Sequence, residues 1–170
     1  MPDLTSFWIS FRVALISTMI VTIFGILISK WLYNKKRYWV NLLESFIILP
    51  IVLPPTVLGF ILLIIFSTRS PVGEFFTNIL HLPVVFTLTG AVIASVIVSF
   101  PLMYQHTVNG FRSIDSKMLN TARTMGASET KIFLKLVLPL SKRSILAGIM
   151  MSFARAIGEF GATLMVAGYI

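Results

Sequence analysis

Four long apolar runs, separated by short polar segments, organise this chain of 170 residues. They extend from about Phe7 to Tyr33, from Leu42 to Phe66, from Val84 to Tyr104 and from Ser144 to about Ala167. Each reaches the roughly 20 residues needed to cross about 30 Å of hydrocarbon. In lipid each must be a helix, because no water is present to satisfy backbone amides left open. Trp8, Trp31, Tyr33, Tyr38, Trp39, Tyr104 and Tyr169 fall near the ends of the runs, as an interfacial aromatic belt would. The first run does not read as a cleaved signal peptide, since Asp3 is the only charge before Arg12 and the apolar stretch is long. The expectation is an all-α, polytopic transmembrane bundle forming one domain over residues 1–170.

Composition agrees. Hydrophobic residues make up 56% of the chain and charged residues only 12%, with a mean hydropathy of +0.92, which leaves too little polar surface for a soluble globule of this size. There is no cysteine, so neither a disulfide framework nor a thiolate metal site is available. The net charge of +8 does not point to nucleic acid, because the basic residues cluster beside the apolar runs.

Those clusters orient the chain. Lys35, Lys36 and Arg37, with Lys30 just inside, follow the first run, and seven Lys/Arg lie between Gln105 and Arg143 against Asp115 and Glu129. The segment from Ser67 to Pro83 carries only Arg69 against Glu74. The positive-inside bias therefore places the two basic segments in the cytoplasm and both chain ends outside, in a multi-pass protein of the cell (inner) membrane.

The longer basic segment, about residues 105–143, has its own pattern. Asp115 or Ser116 can cap a short helix whose apolar residues Met118, Leu119, Ala122 and Met125 share one face, and Gly126 can supply the left-handed turn that ends it. Ser128 can cap a second helix with Glu129 in its first turn. There Ile132, Phe133, Leu136 and Val137 form a stripe, Lys131 and Lys135 point away, and Pro139 forbids continuation. Amphipathicity alone favours a surface loop lying on lipid headgroups, and the spacing to Gly126 and Pro139 reverses that preference.

Within the runs, Pro50, Pro54 and Pro55 lack amide donors, so the second run must kink or locally unwind, either to face a pathway or simply as a bent packing helix. Gly148, Gly158 and Gly161 offer close-approach points in the fourth. Arg155 and Glu159 are the full charges deep inside it, roughly 16 and 22 Å from its start at about 1.5 Å per residue. Each would cost on the order of 2.5–3.5 kcal/mol facing lipid. Their i,i+4 spacing allows a structural ion pair, and a role in an anion pathway remains open. Glu44, near the cytoplasmic end of the second run, reads as interfacial. His81 and His106 have no second ligand nearby, so no metal site is expected.

Asn120-Thr121-Ala122, three residues, Gly126, nine residues and Leu136-Val137-Leu138-Pro139 together resemble the EAA loop of ABC-importer permeases, Glu-Ala-Ala, Gly and Ile-x-Leu-Pro at the same spacing. The resemblance implies that this loop docks on an ATP-hydrolysing subunit, with Asn120, Thr121, Ala122, Gly126, Leu136, Leu138 and Pro139 at the motif positions. Asn120 stands where the motif has Glu, and Thr121 where it has Ala. The run from Leu49 to Phe60, Ser99-Phe100-Pro101-Leu102-Met103 and Phe153 to Thr163, which contains Gly158-Glu159-Phe160-Gly161-Ala162-Thr163, look like molybdate/tungstate permeases, with sulfate permeases close behind.

The resemblance implies a homodimeric permease that moves an oxyanion, molybdate or tungstate first and sulfate or thiosulfate as the alternative, from an external substrate-binding protein into the cytoplasm. Permeases of this type carry one more span after the Gly-Glu-Phe-Gly-Ala-Thr helix, so a fifth span is expected after Ile170, and a non-transporting truncated fragment is the contrasting reading. No Gly-x-x-x-x-Gly-Lys-Ser/Thr loop occurs, so ATP and Mg belong to partner ATPase subunits and the chain holds no cofactor of its own. No Cys, His cluster or paired carboxylates outside the membrane suggest enzymatic chemistry.

Overall fold

The computed structural model describes residues 4–35, 38–67, 69–79 and 84–158. Helix α1 (Leu4–Leu32) is followed by α2 (Tyr38–Val52), α3 (Pro55–Phe66) and α4 (Pro71–Glu74), which runs into a π turn at Phe75–Ile79. Then come α5 (Leu88–Arg112), α6 (Ser116–Thr124), α7 (Glu129–Ile132), a π segment at Phe133–Val137, α8 (Leu138–Leu140) and α9 (Lys142–Ile157). Among the described residues α1 and α5 are long and apolar enough to cross a membrane singly, and α2 with α3 makes a third span if the bent pair counts as one. The fourth expected span is described only as far as Gly158.

Helices α1, α5 and α9 pack on one another, and α2 lies against α5. On α1 the inward stripe is Ala14, Thr18, Val21, Gly25, Ser29 and Leu32, at spacings of three or four residues. The opposite face exposes Met19, Ile23, Phe24, Leu27 and Trp31. Small and hydroxyl residues lie inside and large apolar ones outside, because lipid is as apolar as leucine and only close packing and hydrogen bonds draw such helices together. A Cβ on Gly25 would lie 2.6 Å from Met103 Cγ, and one on Gly148 3.0 Å from Met103 Sδ and 3.1 Å from His106 Cβ. Gly158, by contrast, would meet among the described residues only carbonyls of its own preceding turn, and Gly161 lies outside the described residues.

Hydroxyls tie the three helices across their interfaces. Ser17 Oγ donates to the Val92 carbonyl at 3.3 Å, Ser29 Oγ to that of Tyr104 at 3.4 Å, and Ser152 Oγ to that of Ser99 at 3.2 Å. One apolar cluster continues from Val21, Met103 and Ile145 between the helices out to Phe111, Leu119, Ile132, Phe133 and Val137. The segment between α5 and α9 is thus an extension of the core and does not hang from it.

Three expectations about the path of the helices need correction. The second apolar run is two helices whose axes turn by 115°, a far sharper break than a kinked span. Pro54 precedes Pro55, and the residue before a proline is pushed out of the helical region; Pro54 accordingly sits at φ −56°, ψ 140°, and Pro55 opens α3. Pro50 remains inside α2. The third run does not end at Tyr104 but at Arg112. Its last two turns look polar in sequence, yet Thr107, Val108, Gly110 and Phe111 are buried. Tyr104 is therefore an interior residue, 1% exposed, and no part of an interfacial belt. The third correction concerns Pro139 and belongs to the site.

Candidate functional site

The segment after α5 begins with a helix whose start is secured by Asp115, which accepts a hydrogen bond from the Lys117 amide at 2.9 Å. Leu119 is buried and Ala122 packs against the same core. Met118 and Met125, expected on that face, are instead 47% and 82% exposed. The inward stripe is narrower than the sequence suggests, because only the core beneath α6 offers it cover. Asn120, Thr121 and Thr124 face outward beside the methionines.

The end of α6 is a Schellman turn. The Ala127 amide donates to the Ala122 carbonyl at 3.1 Å and the Gly126 amide to the Arg123 carbonyl at 2.9 Å. This arrangement requires the left-handed conformation at the residue between them, and Gly126 has φ +81°. Nothing lies within 4 Å of where its Cβ would be, so the backbone angle and not space selects glycine.

The next helix starts as the sequence predicts, with Ser128 Oγ accepting from the Lys131 amide. Ile132, Phe133 and Val137 are buried, Leu136 and Leu138 pack at the margin of the same core, and Lys131 and Lys135 are exposed. Across the turn the Arg123 guanidinium grips Glu129 with two prongs, Nε to Oε1 at 2.6 Å and Nη2 to Oε2 at 3.2 Å. Its Nη1 donates to Asn120 Oδ1 at 2.8 Å. These hydrogen bonds hold the Glu129 carboxyl below its usual range and raise the guanidinium of Arg123. Asn120 lacks the charge of the Glu that the motif carries. In the fold its side chain is engaged with Arg123, whose acidic partner is Glu129.

Pro139 does not stop the helix. The path widens into the π segment Phe133–Val137, with the Leu138 amide donating to the Phe133 carbonyl, and Pro139 occupies the first turn of α8. A π turn shifts the hydrogen-bond register by one residue, which makes room where a proline contributes no amide. After an offset at Ser141 (φ −89°, ψ 3°), α9 continues to Ile157. The motif residues thus lie on two short helices leading into a membrane helix.

A second polar cluster was not anticipated. Glu44 of α2 accepts a hydrogen bond from Tyr104 Oη at 2.9 Å and pairs with Arg112, both on α5. Two signals for it were present, an acid within an apolar run and a Tyr and an Arg eight residues apart on one helix face. Of the pathway candidates, Pro50 lies inside α2, Pro54 and Pro55 form the α2–α3 break, Arg155 is half-buried in the last turn of α9, and Glu159 lies outside the described residues.

Comparison with known proteins places this geometry. A Bacillus subtilis protein whose name assigns it to a molybdenum transport system as permease is 46% identical over 162 residues, covering 95% of this chain and 71% of its own length. The molybdenum transport system permease protein of Azotobacter vinelandii is 34% identical over 170 residues, 99% of this chain and 74% of its own. A Chlorella vulgaris protein named for sulfate transport is more distant, 28% identical over 163 residues, 95% of this chain and 60% of its own. Residues 7–170 match one family throughout, and the chain is a member of the binding-protein-dependent transport system inner membrane components.

Proposed function

We propose that this chain is the permease of an ABC importer that carries molybdate or tungstate into the cytoplasm, and that residues 113–141 form its contact with the ATPase. The observation that carries the reading is the Gly126 turn. It holds two short helices rigidly on an extension of the membrane core, with Met118, Asn120, Thr121 and Met125 exposed at the outer edge. A lever so built passes on the closure of a partner, whereas a loose loop would dissipate it. The chain is a membrane component and not an enzyme, and the family works with a separate ATPase and a binding protein. The substrate is drawn from the relatives named for molybdenum transport, and their higher identity favours molybdate over sulfate. A second copy completes the pathway, with Pro50, Pro54, Pro55, Arg155 and Glu159 as the residues to probe along it.

The orientation belongs to the same proposal. Glu44 pairs with Arg112, so the start of α2 and the end of α5 meet at one end of the bundle, beside both basic segments. The positive-inside bias puts that end in the cytoplasm and the amino terminus outside. Cysteines replacing Asn34 and Thr130 should then be labelled only from the cytoplasm, and one replacing Thr77 only from outside. Labelled molybdate uptake in vesicles holding the permease, its ATPase and its binding protein tests the function. The expected result is ATP-dependent accumulation that excess unlabelled tungstate suppresses and sulfate does not. Suppression by sulfate but not by tungstate would reassign the substrate, and labelling of Thr130→Cys from outside would overturn the coupling role.

A further inference from the structure

The coupling segment is joined covalently to α5 at one end and α9 at the other, and two attachments define an axis about which it could still rotate. A third support comes from a helix far away in sequence. Lys30 Nζ, one turn from the end of α1, lies 4.5 Å from the centre of the Phe133 ring. The Tyr33 ring stands edge-on to Phe111 at 5.6 Å, and Phe111 stands edge-on to Phe133 at 5.5 Å. Phe111 is 1% and Phe133 6% exposed, so this junction is closed. It joins the end of α1, the end of α5 and the first residue of the π segment. The Tyr33 hydroxyl is raised by burial and then by the charge of Glu129.

We propose that Lys30 and Tyr33 are positioning residues for transport, clamping the coupling segment to α1 through Phe133 and Phe111 so that its movement reaches α1 directly as well as α5 and α9. This rests on the reading that the segment is the ATPase contact. Three supports that are not in line remove the rotation two would allow, and close-packed rings pass displacement on with little give. Lys30 is suited to the task because a cation over a buried ring face is held by the ring quadrupole while its amine stays at the polar edge. The Arg123 clamp stiffens the segment; Lys30 and Tyr33 tie it down.

The test uses the full permease with ATPase and binding protein in vesicles, reading ATPase pull-down, molybdate uptake per ATP hydrolysed and thermal stability of the same preparations. Lys30→Met and Tyr33→Leu should retain the ATPase while uptake per ATP falls about fivefold, the scale of one cation–π contact or one aromatic pair. Lys30→Arg and Tyr33→Phe, which keep the cation or the ring, should recover it. Should Lys30→Met fail to fold, Tyr33→Leu decides, as it leaves every charge in place. Unchanged uptake per ATP in Tyr33→Leu, or loss of ATPase binding in parallel with uptake, would overturn the proposal. Retained ATPase binding and coupling in Gly126→Val would instead overturn the docking reading beneath it, so the two failures are distinguishable.

Discussion

Arg123 and Glu129, six residues apart and on different helices, face each other across the Gly126 turn in a two-pronged ion pair. The fork matches the carboxylate in shape, which gives the pair direction as well as attraction. Both side chains are solvent-accessible, 34% and 65% exposed, so the pair guides the turn more than it stabilises the fold.

Its pH dependence follows from the sign of the shift. The carboxyl of Glu129 is held down by hydrogen bonds from Arg123, so its contribution is present above the unfolded carboxylate value and is lost as pH falls through the lower folded one. Amide exchange at Gly126 and Ala127, taken relative to the intrinsic rate at each pH, should accelerate on acidification below about pH 4. In Glu129→Gln it should already be fast at neutral pH. A flat profile in the wild type would show that the pair does not order the turn.

Gly126→Val should cost about 1 kcal/mol or more, since the left-handed region penalises a branched side chain even where space is free. The membrane helices do not depend on that turn. ATPase pull-down and transport-stimulated hydrolysis should therefore fall while the permease still purifies as a folded protein, and intact coupling would contradict this.

Glu44→Ala should destabilise more than Arg112→Ala. Glu44 is 19% exposed and leaves the Tyr104 hydroxyl without its acceptor, whereas Arg112 is 39% exposed and can turn to water. Losses of about 1.5–3 kcal/mol against about 1 kcal/mol or less are expected, read as melting temperature in detergent. The reverse order would mean that Arg112 is the anchor of the cluster.

Gly148→Val should separate α5 from α9, because even a first added carbon meets Met103 and His106 near 3 Å. Overpacking of this kind costs about 1–3 kcal/mol. Gly158→Ala, which among the described residues meets only its own helix, should melt like the wild type. Equal behaviour of the two variants would show that the interface yields at Gly148.

The apolar runs, the basic segments between them and the spacing of Asn120, Gly126 and Pro139 were legible in the sequence because each depends on local chemistry. Hydrocarbon demands length and apolarity, a left-handed cap demands glycine, and an N-cap demands Asp115 or Ser128. Hydropathy misplaced the end of α5, since it scores Thr107 and Arg112 as polar without knowing that packing buries the one and Glu44 meets the other. It also could not foresee that a π turn would carry the chain past Pro139, because that register shift is selected by packing of Phe133 and Val137. The size of the bend at Pro54 and the meeting of Lys30 with Phe133 were decided in the same way. These join residues from separate stretches of chain, and only the packed helices determine which side chains face one another.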